Sequence, residues 1–443
     1  MNRNNRMKKR YPSPLQANYA LIILLLAYIL SFIDRNILAV LVGPIRDDFS
    51  ISDFQFSLLH GTAFTVFYIF LGLPIGWLAD RVSRKWIIVV GVFFWSLMTA
   101  LCGMANSFLI LFLVRIGVGV GEAALSPPAY SLFSDYFSPR RLRWATAIFS
   151  MGITIGSGLS YKIGSWAYQY LGEVDFAAWP ILAAMNAWQL TFVMVGLPGF
   201  LVVLLLLLMK EPPRLVSEQK QDASQFISIN EVFAYLRCHW QAYGALAFGV
   251  CMMSIIGYGT LGWFPEFLIR SYGMNRAQAG SELGNIFLIA GTAGSLAGAV
   301  FATLLQRRGY KDANMRMVLL AALICLGPAI AAPLMPSYEL AVLVATPVIF
   351  FHYTHFGVSV AALTVITPNR MRAQVSAVLL FLTNLFGLAL GGSFVAFFTD
   401  FVFQADDALR FSLVAVAAIV YPLAAILIGV GLKHYRQRLA EVS

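Results

Sequence analysis

Residues 76–85 read Gly-Trp-Leu-Ala-Asp-Arg-Val-Ser-Arg-Lys; they include the end of one long apolar run, 54–79, and lead into a second, 86–105. Each run is long enough to cross a bilayer, because a spanning helix needs about 20 mostly apolar residues. The segment between them therefore predicts a tight loop that joins two membrane helices. Since Lys and Arg accumulate in cytoplasmic loops, this loop is predicted to face the cytoplasm.

The composition of the whole chain points the same way. Of its 443 residues, 59% are hydrophobic and 12% are charged, whereas soluble domains carry about 25% charged residues. These values exclude an ordinary soluble enzyme and a disordered chain, and the long apolar runs exclude a β-barrel. The formal net charge of +10 is explained by basic cytoplasmic loops, so we predict a lipid bilayer, and no nucleic acid, as a partner.

The chain contains six apolar runs of spanning length, then a polar stretch, then six more. The runs lie near 19–43, 54–79, 86–105, 107–133, 143–170, 187–209, 240–269, 278–305, 316–336, 338–365, 375–402 and 410–432. We predict an all-α membrane protein with 12 transmembrane helices in two pseudo-symmetric six-helix bundles around a central cavity. The predicted divisions are an N-terminal bundle (1–209), a cytoplasmic linker (210–238) and a C-terminal bundle (239–443).

The basic residues fix the predicted orientation, and an internal repeat predicts the class of architecture. If both termini are cytoplasmic, only five of the 31 Lys and Arg residues fall in loops or at helix ends on the opposite side: Arg46, Lys162, Arg270, Arg276 and Arg410. We therefore predict a multi-pass inner-membrane protein with both termini in the cytoplasm. Residues 138–143 and 367–372 are similar and follow the fourth and tenth runs. Parallel repeats of this kind are typical of transporters whose substrate site lies between the two halves.

Four charged residues stand out because they lie deep within apolar runs: Asp34, Arg35, Arg115 and Glu122. A charge at the bilayer centre costs at least about 2.5–3.5 kcal/mol, which makes each one a functional candidate. Asp34 and Arg115 are predicted at one depth and facing each other, with Glu122 roughly 10 Å nearer the cytoplasm on the same helix face as Arg115. Arg35 is turned about 100° from Asp34, toward Glu122 or a ligand anion.

These charges suit proton coupling, with Asp34 and Glu122 as the proton-binding groups and the two arginines as a network for proton and substrate. The alternative is a structural ion pair that only fixes two helices, although desolvation makes a buried pair a weak source of stability. Proton coupling predicts that the proton gradient supplies the energy and that no cofactor is needed.

A second group of candidates carries polar and aromatic side chains. His352, Tyr353 and His355 lie in the tenth run and His60 in the second, and we predict that they line the cavity. No third metal ligand accompanies the two neighbouring histidines, so no metal site is predicted. Glu266 is predicted at the solvated extracellular rim, with an outer gate as the alternative.

Small residues recur at four-residue spacing in two runs, which predicts close helix packing. They are Gly152, Gly156, Ser160 and Gly164 in the fifth run, and Ala290, Gly294, Gly298 and Ala302 in the eighth. The functional alternative is that these stripes are the surfaces along which the two halves slide.

The loop at 76–85 resembles the conserved loop between the second and third helices of the major facilitator superfamily, with Ser83 in place of the second glycine. Arg115 and Gly119 resemble the fourth-helix motif of that superfamily. The run Ile33-Asp34-Arg35-Asn36 and the run Gly119-Val120-Gly121-Glu122-Ala123 are together similar to the Spinster subgroup. This resemblance implies a proton-linked carrier of sphingolipid-like or lysophospholipid-like amphiphiles.

The loop also predicts a cytoplasmic gate, formed by Gly76, Asp80, Arg81, Arg84 and Arg143. Asp80 is expected at the N-terminus of the eleventh helix, where a carboxylate is stabilised by about 0.3–1 kcal/mol. The three arginines are expected to complete a charge network that closes the gate in the outward-facing state.

Other functions remain as alternatives. A proton-coupled carrier of a small organic anion or sugar acid needs the same arginines, since they bind a carboxylate as well as a phosphate. An integral-membrane lipid enzyme or a sensor is the alternative of another class. No nucleophile with a neighbouring base and no phosphate-binding loop can be identified in the sequence, so we expect a carrier, acting as a monomer, and no enzyme.

Overall fold

The computed structural model describes residues 11–214, 229–368 and 370–442. Twelve long helices follow one another in these ranges. They are α1 Pro14–Val40, α2 Asp53–Ala79, α3 Arg84–Cys102, α4 Phe108–Tyr136, α5 Pro139–Glu173, α6 Ala187–Leu208, α7 Trp240–Tyr272, α8 Arg276–Arg307, α9 Ala313–Leu334, α10 Tyr338–Val365, α11 Gln374–Phe403 and α12 Asp406–Val442. Residues 215–228 of the predicted linker lie outside the described ranges, and its last part, Ile229–Cys238, forms a short helix before α7.

Eleven of these helices are long and apolar enough to cross a membrane, and α5 is the exception. With 35 residues, α5 has ample length, but buried serines such as Ser157, Ser160 and Ser165 lower its hydropathy. These polar positions are tolerated because α5 packs against α1, α6 and α8. The predicted all-helical fold with two six-helix bundles is confirmed.

The same helix contacts recur in both bundles, six helices apart. In the first bundle, α1 packs on α5 and α6, α2 on α4, and α3 on α4 and α6. In the second, α7 packs on α11 and α12, α8 on α10, and α9 on α10 and α12. This correspondence is the pseudo-symmetry that the sequence repeat predicts.

The two stripes of small residues pack inside the bundles. A Cβ atom added to Gly156 would lie 2.6 Å from Phe32 Cβ on α1, and one added to Gly298 would lie 2.2 Å from the Thr354 backbone oxygen on α10. Close packing is therefore the correct reading of both stripes. The seam between the bundles uses another glycine face, where Gly158 of α5 meets the Gly284 backbone of α8.

A second seam joins α2 and α11, where each helix widens into a π-helical turn. The turn at Leu58–Thr62 in α2 meets the turn at Leu385–Leu390 in α11. A Cβ atom on Gly61 would lie 2.5 Å from the Leu388 backbone oxygen, so only glycine allows this approach. Single π turns are often found at functional sites, and these two lie where the bundles contact each other.

Candidate functional site

A buried ion pair joins α1 and α4 in the N-terminal bundle. Arg35 Nη2 lies 2.6 Å from Glu122 Oε2, and both side chains are almost completely buried. The Arg35 guanidinium also lies 4.5–5.0 Å from the ring centres of Phe32, Phe64 and Tyr68. Aromatic faces stabilise a desolvated cation, so this pocket holds the arginine in place whether or not its carboxylate partner is charged.

Asp34 lies on another side of α1 and faces α3. Its Oδ1 atom is buried, and Trp95 Nε1 and Thr99 Oγ1 face this carboxylate. Asp34 thus faces neutral donors and forms no ion pair among the described residues. A buried carboxylate without a cationic partner is rare in proteins and is a functional candidate.

Arg115 lies between these two groups, but its contacts differ from the predicted pair with the Asp34 carboxylate. Its guanidinium donates hydrogen bonds to the backbone oxygens of Asp34 (3.1 Å) and Arg35 (3.4 Å). The reason is local: α1 changes from an α-helix to a 3₁₀ turn at Ile37–Val40, which leaves carbonyl groups without their usual helical donors. Arg115 supplies those donors and fixes the end of the helix.

Of the predicted histidines, His60 contacts the other bundle, whereas His352 and His355 lie inside the C-terminal bundle. His60 contacts α7, since a Cβ atom on Gly262 would lie 3.1 Å from its ring. In the C-terminal bundle, His352 packs against Gly257 of α7, and its ring centre lies 4.8 Å from that of His355. No group of three potential metal ligands occurs in the described part of the chain.

Tyr353 and His355 belong to a polar and aromatic region of α10. The Tyr353 ring packs edge-on against Phe287 of α8 at 5.9 Å and stacks on Phe356 at 5.4 Å. His355 lines a cavity of about 60 Å³, together with polar side chains of α7, α10 and α11. The polar residues of that cavity are Ser254, Tyr258, Ser359, Thr383 and Asn384. This cavity thus offers neutral hydrogen-bonding groups, whereas the Arg35–Glu122 pair of the first bundle is charged and buried.

The cytoplasmic loop differs from the predicted charge network. Arg84 is buried inside the N-terminal bundle, where it forms ion pairs with Asp135 of α4 and, at 3.0 Å, with Glu211 beyond α6. Burial opposes ionisation of Glu211, but hydrogen bonds from Ser83, Arg84 and Lys85 outweigh it and hold the pKa of this carboxyl below its usual value. Arg84 is therefore a clamp within one bundle and is not part of a gate between two.

The other members of the predicted gate lie near the surface. Asp80 is exposed at the end of α2, and the Arg143 side chain is also exposed. Arg81 stacks on Trp77, with 3.5 Å between the guanidinium carbon and the ring centre. Arg214 donates to the backbone oxygen of Asp80 and to those of its neighbours.

The remaining member of that gate, Gly76, faces α4, since a Cβ atom placed there would lie 3.9 Å from Pro127 Cβ.

A network of ion pairs connects the bundles at their other end, and we name it the extracellular latch after the predicted orientation of the chain. Asp53 of α2 is fully buried; it lies 2.8 Å from Arg46 and receives two hydrogen bonds, of 2.7 and 2.8 Å, from Arg270 of α7. Glu266 binds Arg270 at 3.0 Å and Arg276 at 3.1 Å. A more exposed pair, Arg46 with Asp406, completes the latch.

Sequence reasoning missed this latch because its arginines were read only as markers of topology. Glu266 is 3% exposed, so its predicted place in solvent is wrong, and its place in an outer gate stays a prediction. The sequence feature that could have indicated the latch is Asp53, an acid on the same predicted side of the membrane as several arginines. It was hidden because it directly follows the helix-capping residue Ser52, whose side chain binds the Gln55 backbone.

Most of the polar contacts that the structure describes between the bundles lie on the same side as the latch, and one more, from Thr292 of α8 to Thr154 of α5 at 2.9 Å, lies near the middle of both helices. Besides the latch, they include Lys162 with Asn285 at 2.6 Å, Tyr161 with the Leu261 backbone at 2.8 Å, and Ser57 with Ser393 at 2.9 Å. Asp80, at the other end, is exposed. With the predicted orientation, in which both termini are cytoplasmic, this distribution is that of an inward-facing state.

Two repeated bundles, buried charges beside their interface and closure at one end define a membrane transporter that works by alternating access. The chain belongs to the Major Facilitator Superfamily, whose family model matches residues 24–396. It is similar in structure to a bacterial homologue of the human lysosomal transporter Spinster in its inward-facing, unoccupied conformation. That similarity has a TM-score of 0.79 and 27% identity, and it covers 97% of this chain and 98% of the other.

Curated relatives fall into several transporter groups. An MFS-type efflux pump of Mycolicibacterium smegmatis is 25% identical over 97% of this chain and 95% of its own. Protein spinster homolog 1 of Xenopus tropicalis is 32% identical over 56% of this chain and 46% of its own, so the match spans about half of that relative. A probable L-galactonate transporter of Escherichia coli is 25% identical over 89% of this chain and 85% of its own.

Proposed function

We propose that the protein is a proton-coupled secondary carrier of an amphipathic, lipid-like molecule of the sphingolipid or lysophospholipid class. The observation that carries this proposal is the buried Arg35–Glu122 pair at 2.6 Å, with the buried Asp34 carboxylate, which faces Trp95 and Thr99, on another side of the same helix. The proton gradient is the energy source, and no cofactor or catalytic step is involved.

The pair provides a way to couple two ligands. A proton on Glu122 removes the negative charge that Arg35 faces, and the guanidinium then binds an anionic group of the substrate instead. Loss of the proton restores the ion pair and displaces that group. Since Arg35 remains held among Phe32, Phe64 and Tyr68, the exchange requires little movement of the arginine itself.

Two observations support a lipid-like substrate. The surroundings of Arg35 are aromatic, which suits a molecule that joins an anionic head to an apolar chain. The similarity to the bacterial Spinster homologue extends over nearly the whole of both chains. The C-terminal bundle adds His352, Tyr353 and His355, which we assign to binding the uncharged polar part of the substrate, together with His60 at the interface.

A sugar acid or another small organic anion is the second candidate. The similarity to a probable L-galactonate transporter over 89% of this chain favours it. Arg35 binds a carboxylate as readily as a phosphate, and the polar cavity beside His355 suits hydroxyl groups. The two candidates share the proton mechanism and differ in the apolar part of the substrate.

The deciding experiment is uptake into vesicles that contain the purified protein and carry a pH gradient. We expect accumulation of a lysophospholipid or a sphingoid phosphate, abolished by a protonophore. Accumulation of a hexonate instead would favour the second candidate. Uptake at the same rate with and without the pH gradient would contradict proton coupling for both candidate substrates.

The proposal places a single chain, as a monomer, across the inner membrane with both termini in the cytoplasm. The described basic loops are consistent with this orientation.

In this orientation the extracellular latch faces outward and Asp80 faces the cytoplasm. The exposed Asp80 is then free in the inward-facing state and binds the N-terminus of α11 only when the cytoplasmic side closes.

Asp80→Asn should therefore lower the outward-facing population while the inward-facing structure remains intact. Loss of a carboxylate at a helix N-terminus costs about 0.3–1 kcal/mol, which corresponds to a change of about two- to fivefold. Thiol labelling of a Ser57→Cys reporter from the extracellular side measures this population. The background carries Cys238→Ser, which removes an exposed thiol. The matched control is Glu173→Gln, which neutralises another exposed acid. Equal labelling of Asp80→Asn and its parent would contradict the role of Asp80.

A further inference from the structure

A cavity of about 1000 Å³ opens in the C-terminal bundle, between the loop that joins α8 to α9 and the last turns of α12. Its walls include Tyr310, Lys311, Asp312, Arg316 and Arg436. The cavity lies just outside the start of α9 and therefore at the level of the membrane surface. It is remote from Arg35 and Glu122, and the transport mechanism makes no use of it.

The cavity wall is electropositive even though it contains an acid. Asp312 is 3% exposed, and its carboxylate accepts hydrogen bonds from Arg316 at 3.1 Å and Arg436 at 2.7 Å. Burial opposes its ionisation, but these bonds outweigh burial and hold the pKa of Asp312 below its usual value. One carboxylate thus stands against three cations when Lys311 is included.

Two of these cations, Arg316 and Arg436, are held in position by contacts within the protein. The Arg316 guanidinium lies 4.2 Å from the ring centre of Tyr310, which fixes it against the loop. The Arg436 side chain uses its Nε atom for Asp312 and remains 53% exposed. Asp312 therefore acts as a support that orders two arginines and leaves Arg436 and Lys311 accessible to an anion.

At the corresponding place in the N-terminal bundle, acidic side chains outnumber the arginine that they contact. There, Arg84 at the start of α3 faces two carboxylates, Asp135 and Glu211, and is 2% exposed. That cluster has one more carboxylate than guanidinium, and its arginine is closed off from solvent. Since the two bundles share one packing scheme, the basic and open cluster is a specific feature of the second bundle and not a consequence of the fold.

We propose that this cavity binds the phosphodiester head group of an anionic phospholipid from the adjacent leaflet. Arg436 and Lys311 bind the phosphate, and the acyl chains remain in the bilayer beside α9 and α12. Basic pockets between membrane helices bind anionic head groups in this way, and each Lys or Arg near the surface contributes about 1 kcal/mol. The same cations would attract a free phosphate ion, so the test must separate the two sources.

The test measures binding of phosphatidylglycerol, phosphatidylcholine and inorganic phosphate to the purified full-length protein by native mass spectrometry. We expect preferential binding of phosphatidylglycerol. Lys311→Gln and Arg436→Gln should each weaken it about fivefold, which corresponds to about 1 kcal/mol per basic residue. Lys433→Gln is the matched control, because Lys433 is exposed on α12 outside the cavity wall.

Three results would overturn the proposal. Inorganic phosphate that binds as tightly as phosphatidylglycerol would assign the cavity to a soluble anion. Equal weakening by Lys433→Gln would show general surface attraction, and unchanged binding in both cavity variants would exclude the site. Thermal unfolding of each variant shows whether the fold is preserved. These outcomes are independent of the proposed substrate and proton coupling, since none of them depends on transport.

Discussion

Asp34→Asn and Glu122→Gln should each reduce uptake driven by a pH gradient to the level of vesicles without protein. Both substitutions remove a proton-binding group from the interior of the N-terminal bundle, and each new side chain has nearly the same shape. In Glu122→Gln the buried Arg35 loses the carboxylate that lies 2.6 Å away. Breaking a buried pair costs about 3–5 kcal/mol, so Arg35 should also hold an anionic substrate more tightly and release it slowly.

The two variants should differ in exchange without a gradient. Asp34 binds no cation directly through its carboxylate in the described structure, so Asp34→Asn should retain exchange of substrate between the two faces. Glu122→Gln should slow exchange as well, because substrate release requires the carboxylate to compete for Arg35. Glu173→Gln, an exposed acid at the end of α5, is the control and should transport normally.

The contrary outcome is specific for each residue. Gradient-driven accumulation at the parental rate in Glu122→Gln would reduce the Arg35–Glu122 pair to a structural contact. The same result in Asp34→Asn would remove Asp34 from the proton path.

Asp53→Asn should open the extracellular latch and shift the protein toward its outward-facing state. Asp53 is fully buried and forms ion pairs with both Arg46 and Arg270. Its neutralisation therefore leaves two arginines without their common partner. Removing one member of a buried pair costs about 3–5 kcal/mol. That cost falls only on the inward-facing state, in which the latch is closed. The ratio of outward-facing to inward-facing protein should therefore rise by more than about 100-fold.

The matched control for Asp53 is Asp406→Asn in the same latch. Asp406 also binds Arg46, at 3.0 Å, but its side chain is 64% exposed. Exposed pairs contribute about 0–1 kcal/mol, so this variant should stay close to the parent. The measurement is extracellular thiol labelling of a Ser57→Cys reporter, which lies buried between the bundles beside Ser393. Equal labelling of the two variants would contradict the assignment of Asp53 as the main contact.

Much of this protein is determined by its sequence. Lengths of apolar runs fix the number and order of the helices, because each span must satisfy its own backbone hydrogen bonds in lipid. The 100° turn per residue places Asp34 and Arg35 on different sides of α1, and the predicted approach of Arg35 to Glu122 is observed at 2.6 Å. These features depend on local periodicity and on the cost of an isolated charge in the membrane.

Only the tertiary structure decides which neighbour each polar group finds. Arg115 binds the backbone of α1 instead of the Asp34 carboxylate, and Arg84 turns inward to Asp135 and Glu211. The partners of Asp53 come from chain segments that lie far apart in the sequence. A charged side chain in a low-dielectric interior is stabilised by the donors and acceptors within about 3 Å of it, and helix packing alone brings them there.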